Sequence, residues 1–216
     1  MRTKHEPTPE DVPSFAETAR RAQIVDCAID AIAELGYAKA SVDQIAKRAG
    51  VSKGVITYHF PSKDEIVHAI VARVFAMGRA YMEPRIMAET SAPGRLRAYI
   101  ESNLAFIDSH RKPLIAMVEI AVGARNADGS LVIGPQSLAQ RVATLEELLR
   151  AGQKAGEFRR FNARVMALTI IQAIDGVPPL LARVPNLDLK LHAKELATIF
   201  TLAACRVATG GEANGR

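Results

Sequence analysis

The stretch RAGVSKGVITYHFPSKDE, residues 48–65, decides the fold. It places two lysines, a histidine, a tyrosine and two glycines where the apolar spacing fits only short helices. Upstream, Ser41 followed three residues later by Gln44 has the form of a capping box, so a helix starts near Val42. That helix turns Ile45, Ala46 and Ala49 inward and stops at Gly50 after about two turns. Ser52 caps a third short helix over 53–59, with Val55 and Ile56 apolar, and Phe60-Pro61 closes it. Two short helices about a glycine turn, with small Ala46 at their crossing and Ile56 as the pin, have helix-turn-helix spacing. A bulky residue at 46 forces the pair apart, and a side chain at 50 resists the left-handed turn.

With Ile56 turned inward and Val55 partly so, Lys53, Gly54, Thr57, Tyr58, His59 and Lys63 are free to reach outward. Cations and hydrogen-bond donors on a projecting helix suit the DNA major groove, which admits one helix and is rimmed by phosphates. Lys63 follows Ser62 at the start of the next helix, where a lysine opposes the helix dipole unless an anion is near. The formal charge of +5 is concentrated here: between Gly36 and Lys63 five basic side chains (Lys39, Lys47, Arg48, Lys53, Lys63) face one acid, Asp43.

The rest of the chain reads as helices without an alternating strand, so the fold class is all-α with about nine helices. The first 16 residues, with Pro7, Pro9 and Pro13, lack an apolar period and read as a flexible arm. Ile24, Cys27, Ala28, Ala31, Ile32 and Leu35 mark the first helix, stopped by Gly36. A long fourth helix runs from the Ser62–Glu65 pair and ends before Pro84. Further helices open at Ser91-Pro93, at Pro113 and at Gly134-Pro135. From Val165 to Val177 the chain is apolar nearly all round, so it must be covered on two sides. After a break at Pro178, Pro179 and Pro185, Leu196 to Val207 carry a second strongly apolar face before a polar tail at 211–216. These two segments predict a shared four-helix interface between two copies of the chain, a homodimer.

Apolar residues at 49% and charged residues at 24% fit a globular chain of 216 residues. No run approaches 18 apolar residues without a charge and the first residues lack a secretory core, so a cytoplasmic protein with no membrane span is expected. Cys27 and Cys205 lie on apolar faces and read as unreactive thiols. His5, His59, His68, His110 and His192 offer no metal pair at helical spacing. There is also no phosphate loop and no nucleophile motif, so no catalytic residue, metal or cofactor is expected.

Residues 21–70 resemble the N-terminal DNA-binding domain of the TetR family of bacterial transcriptional regulators. The resemblance is carried by the first helix ending in L-G-Y, by S-V-D-Q-I-A-K-R-A-G-V-S, by K-G-x-x-x-Y-H-F, and by S-K-D-E at the start of the fourth helix. It implies that Lys53, Gly54, Val55 and Thr57 face base edges, with Ser41, Tyr58, His59 and Lys63 on the sugar-phosphate backbone and Ser52 in the same interface. Thr57 stands where the family usually has a tyrosine. The resemblance further implies a repressor released from a palindromic double-stranded operator by a small-molecule effector, with residues 17–62 as reading head and 63–210 for effector binding and dimerisation. Polar residues in apolar surroundings, Asn103, Glu119, Gln172 and Asp175, together with Tyr99 and Met117, are the candidates for holding that effector. A helical carrier or interaction protein with a vestigial helix-turn-helix is the alternative.

Overall fold

The computed structural model describes residues 14–205 except Pro185, and all regular structure in that range is helical. Most of the expected arm, the tail at 211–216, Val207 and the Pro185 break lie outside the described residues. The described chain divides into two compact units, one of residues up to Arg73 with Ile115–Val132, the other of Val74–Leu114 and the residues from Ile133 on.

The first unit is built on α1 (Phe15–Leu35), α2 (Val42–Ala49) and α3 (Lys53–His59). Helix α1 starts earlier than its apolar period suggests, because Ser14 and Glu17 form a reciprocal capping box. It buries Ile24, Val25, Ala28, Ile29 and Ile32 and packs against α2. Helix α2 begins where Ser41 Oγ accepts from Gln44 N–H, and ends at Gly50 with φ +66° and ψ +31°, the left-handed turn that disfavours a side chain. Ser52 Oγ then accepts from Val55 N–H to start α3.

Helix α4 (Lys63–Met87) and helix α6 (Arg111–Gly123) each contribute residues to both units. Contrary to the sequence expectation, α4 continues through Pro84 for another turn. A proline removes one backbone donor. Ala88 N–H still reaches the Pro84 carbonyl, and Arg85 donates to the Tyr81 carbonyl and lies 3.8 Å over the Tyr81 ring.

The second unit contains α5 (Ala92–Ser109), α7 (Pro135–Lys154), α8 (Ala163–Asp175), α9 (Val177–Arg183) and α10 (Leu189–Ala204). Helix α5 packs against α10, and α7 against α8. Their core includes Leu96, Ile100, Leu104, Leu145, Leu149, Ile170, Ile171 and Ala197. Gly152, near the end of α7, allows Phe158 to close over the unit: a Cβ there would lie 2.4 Å from Phe158 Cδ2 and 2.7 Å from Ala92 Cβ. The second departure from expectation is at Pro178 and Pro179, which open α9 instead of breaking the chain. In a first turn their missing N–H groups have no helical partner to lose. Ten helices result among the described residues, or nine with α8 and α9 taken as one rod interrupted at Gly176. Cys27 and Cys205 are both half-buried free thiols, and burial pushes the Cys27 thiol above its usual range, with Asp30 and Asp26 adding to it.

Candidate nucleic-acid interface

Helix α3 has one anchored residue and an otherwise open face. Ile56 is 0% exposed and Phe60, its cap, is also buried, whereas Lys53, Gly54, Thr57 and Tyr58 are exposed and Val55 and His59 half-buried. From α1, Arg21 braces the end of α3 by donating to the His59 carbonyl and lying 4.1 Å over the Phe60 ring. A seven-residue helix is too short to stand alone in water. Its position is therefore set by Ile56, Phe60 and Arg21, and its outward side chains are left for another surface.

The outward side chains Lys53, Thr57 and Tyr58 already have partners in the free protein. Lys53 Nζ lies 3.0 Å from Asp43 Oδ2 on α2, and Tyr58 Oη donates to Glu17 Oε1 on α1 at 3.3 Å. Both pairs are exposed, so water screens them. Glu17 is held below the usual carboxylate range chiefly by its bonds from Ser14, with Tyr58 and His59 adding less. Thr57 Oγ1 donates back to the Lys53 and Gly54 carbonyls, at 3.2 and 3.1 Å. That bond leaves the methyl as the part of Thr57 not engaged by its own helix. Ser41 and Ser52 use their oxygen lone pairs as caps, which keeps their hydroxyl protons available.

Lys63 is placed differently from the rest. Its ammonium donates to the Tyr37 carbonyl at 2.6 Å and sits 4.0 Å over the Tyr37 ring, and burial pulls its pKa below the usual lysine value. One of its three protons is thus committed inside the unit. Sequence reasoning missed Glu17, Asp43 and Arg21. The Ser14–Glu17 spacing was a visible capping signal, but pairings 38 and 41 residues apart leave no periodic trace.

The six effector candidates are divided between the two units. Tyr99 and Asp175 share a neighbourhood in the second unit. There Arg141 clasps Asp175 with two bonds of 2.6 and 2.9 Å, and burial raises the Tyr99 phenol, with Arg141 opposing and Asp175 adding. Asn103 spends its amide on the Tyr99 carbonyl of its own helix, at 2.7 Å. Gln172 is exposed on α8. Met117 and Glu119 belong to the first unit, where Glu119 Oε2 accepts from Tyr37 N–H at 3.2 Å. The second unit also contains an open groove of about 510 Å³ lined by Tyr81, Glu101, Asp108, Ser109, Lys190 and Lys194, among others. Carboxylates and ammonium groups in one groove suit a polar ligand better than a purely apolar one.

A buried pin, a left-handed glycine turn and an outward cation-bearing face define a helix-turn-helix DNA-binding protein. Residues 24–70 match the family model described as bacterial regulatory proteins, tetR family. The HTH-type transcriptional regulator BetI of Cronobacter sakazakii is 27% identical over 160 residues, 73% of this chain and 77% of that protein. BetI of Escherichia coli is 35% identical over 89 residues, 40% of this chain and 46% of that protein, so this chain spans less than half of that relative. Among solved structures, the regulator FadR of Bacillus subtilis, in complex with stearoyl-CoA, superposes with a TM-score of 0.73 at 23% identity, covering 83% of this chain and 97% of that one. A TetR-family regulator from Rhodococcus sp. gives 0.73 at 21% identity, covering 85% and 99%. At these identities the superpositions establish the fold. Residues 24–70 thus match the DNA-binding domain of the tetR-family bacterial regulatory proteins, and BetI, which is similar over most of the chain, is a transcriptional regulator.

Proposed function

We propose that the protein is a homodimeric, cytoplasmic repressor that leaves a palindromic operator when a small effector binds its second unit. The observation that carries the proposal is the exposed face of α3 around a fully buried Ile56. Lys53, Gly54, Val55 and Thr57 meet base edges, while Ser41, Ser52, Tyr58, His59 and Lys63 hold the sugar-phosphate backbone. On binding the duplex, Lys53 exchanges Asp43 for a base edge and Tyr58 exchanges Glu17 for a phosphate oxygen, and the free-state pairs hold both side chains near α3 beforehand. Phosphate contacts set the register and base contacts the sequence.

The homodimer is supported by apolar side chains left uncovered on α8 and α10. Val165 is 59% exposed, Leu168 41%, Ile199 57% and Leu202 71%. The stretch Ala163–Leu181 is by length and composition apolar enough to cross a membrane, with mean hydropathy 1.3 and 28% of it buried. Gly176 breaks it, and Arg164 and Asp175 lie within it. A second copy of the chain is the cover that suits such a broken, charge-bearing surface. Two-fold symmetry then presents two α3 helices to one duplex, which demands a two-fold symmetric site. An effector that prefers the dimer with misplaced reading heads weakens binding by its differential affinity, typically about 1–3 kcal/mol or roughly 5- to 150-fold.

The test is selection of duplexes from a random-sequence pool, followed by anisotropy titrations at several salt concentrations. Selected sites with two-fold symmetry, and a log K that falls by about 0.9 per phosphate neutralised, are the expected result. Recovery of no preferred sequence together with a flat salt response would overturn it and favour the helical carrier.

A further inference from the structure

Tyr37, in the corner between α1 and α2, is gripped from two helices at once. Its N–H donates to Glu119 Oε2 on α6 at 3.2 Å. Its carbonyl accepts from Lys63 Nζ at the start of α4 at 2.6 Å, and the same ammonium lies 4.0 Å over its ring. The ring also packs close to Gly123 at the end of α6, where an added Cβ would come within 2.8 Å of Tyr37 Cδ1. Gly36, at φ +80°, makes the bend that brings this corner to Glu119 Oε2, which lies 3.2 Å from where its Cβ would be. Every polar group of the Tyr37 backbone is thereby committed to a side chain from a distant part of the sequence.

That arrangement is more than the corner needs for its own stability. A loop N–H between two capped helices is satisfied by water or by a local turn at little cost. Here it takes a half-buried carboxylate from a residue 82 positions away. The carboxylate stands on α6, which also contributes residues Arg111–Leu114 to the other unit. The corner in turn lies four residues before Ser41, the cap that starts α2, and it holds Lys63, a candidate phosphate contact. Rotating Tyr37 displaces the start of α2 and the Lys63 ammonium together.

We infer that Glu119 is a positioning residue for DNA binding: without reaching the duplex, it fixes through Tyr37 the start of the helix-turn-helix and the Lys63 ammonium. The inference rests on the DNA-binding reading above and adds to it the point at which α6 takes hold of the reading head.

The experiment uses the full chain and a duplex selected by the wild-type protein. Glu119→Ala removes the acceptor, whereas Glu119→Gln keeps a carbonyl oxygen at the same reach. Gly123→Ala pushes on the Tyr37 ring and leaves Glu119 in place, so it serves should Glu119→Ala fail to fold. Readouts are duplex affinity, hydrogen exchange at the Tyr37 amide, and thermal midpoint. Glu119→Ala and Gly123→Ala are expected to weaken duplex binding about tenfold, with faster Tyr37 exchange in Glu119→Ala, and Glu119→Gln to stay within about twofold of wild type in both. Wild-type affinity in Glu119→Ala despite faster Tyr37 exchange, or equal losses in Ala and Gln variants, overturns the inference. A wild-type chain that retains no duplex at all overturns the DNA-binding reading with it.

Discussion

Replacing Tyr58 by phenylalanine isolates one atom of the interface. The ring is 72% exposed and, among the described residues, its hydroxyl bonds to Glu17 on the surface. Loss of that contact leaves the fold untouched, as surface changes away from caps and cores do. In the proposed complex the same hydroxyl donates to a phosphate oxygen, and a hydrogen bond to a charged group contributes about 1.5–3 kcal/mol. Because the hydroxyl gives up one anionic acceptor to gain another, the low end applies: about 1.5 kcal/mol per reading head and about 3 kcal/mol for two, roughly 100-fold in Kd. The phenol is neutral, so the slope of log K against log salt stays as in wild type. Anisotropy titrations of a selected duplex at three or more salt concentrations read both quantities, with circular dichroism to check the fold. An unchanged Kd at an unchanged melting temperature would show that Tyr58 does not hold phosphate. A loss accompanied by a shallower slope would show that the substitution displaced a neighbouring cation instead.

Three other changes separate fold from interface. Ile56→Ala removes the pin of α3 and should cost about 2–5 kcal/mol in denaturant unfolding, together with loss of duplex binding; a stability within error of wild type would mean that α3 is not anchored there. Gly152→Ala drives a methyl into Phe158 and Ala92 and should cost about 1–3 kcal/mol; an unchanged unfolding midpoint would contradict the close packing at the end of α7. Asp43→Asn frees Lys53 from its pair, so affinity for random-sequence DNA at low salt should rise by about 0.5 kcal/mol per reading head, roughly fivefold for two; equal or weaker non-specific binding would show that Asp43 does not restrain Lys53.

The helix-turn-helix was legible because its signals are local. Ser41, Gly50, Ser52 and the Phe60-Pro61 stop each act within four residues, and the observed helix spans the expected 53–59. Proline was read less well, since the same residue ends one helix and begins another. Pro84 sits inside α4, which runs on to Met87 with Ala88 N–H bonded to the Pro84 carbonyl, and Pro178 and Pro179 open α9 because their position needs no donor. Long-range pairings left no trace in any window of sequence. Glu119 stood out only as a polar residue among apolar ones, which is how a ligand-holding carboxylate and one spent on a distant backbone N–H both look. The groove lined by Glu101, Asp108, Lys190 and Lys194 was invisible for the same reason, because it needs α5 and α10 side by side.

The Thr57 hydroxyl, turned back onto the carbonyls of its own helix, has a consequence for the chemistry of the operator. With Val55 beside it, the reading surface offers hydrocarbon where other side chains offer donors, and hydrocarbon recognises the methyl at C5 of thymine. A cytosine methylated at C5 carries the same projection. In the proposed complex this contact does not distinguish the two bases, and enzymatic methylation of an operator cytosine would create a contact where the unmodified base has none.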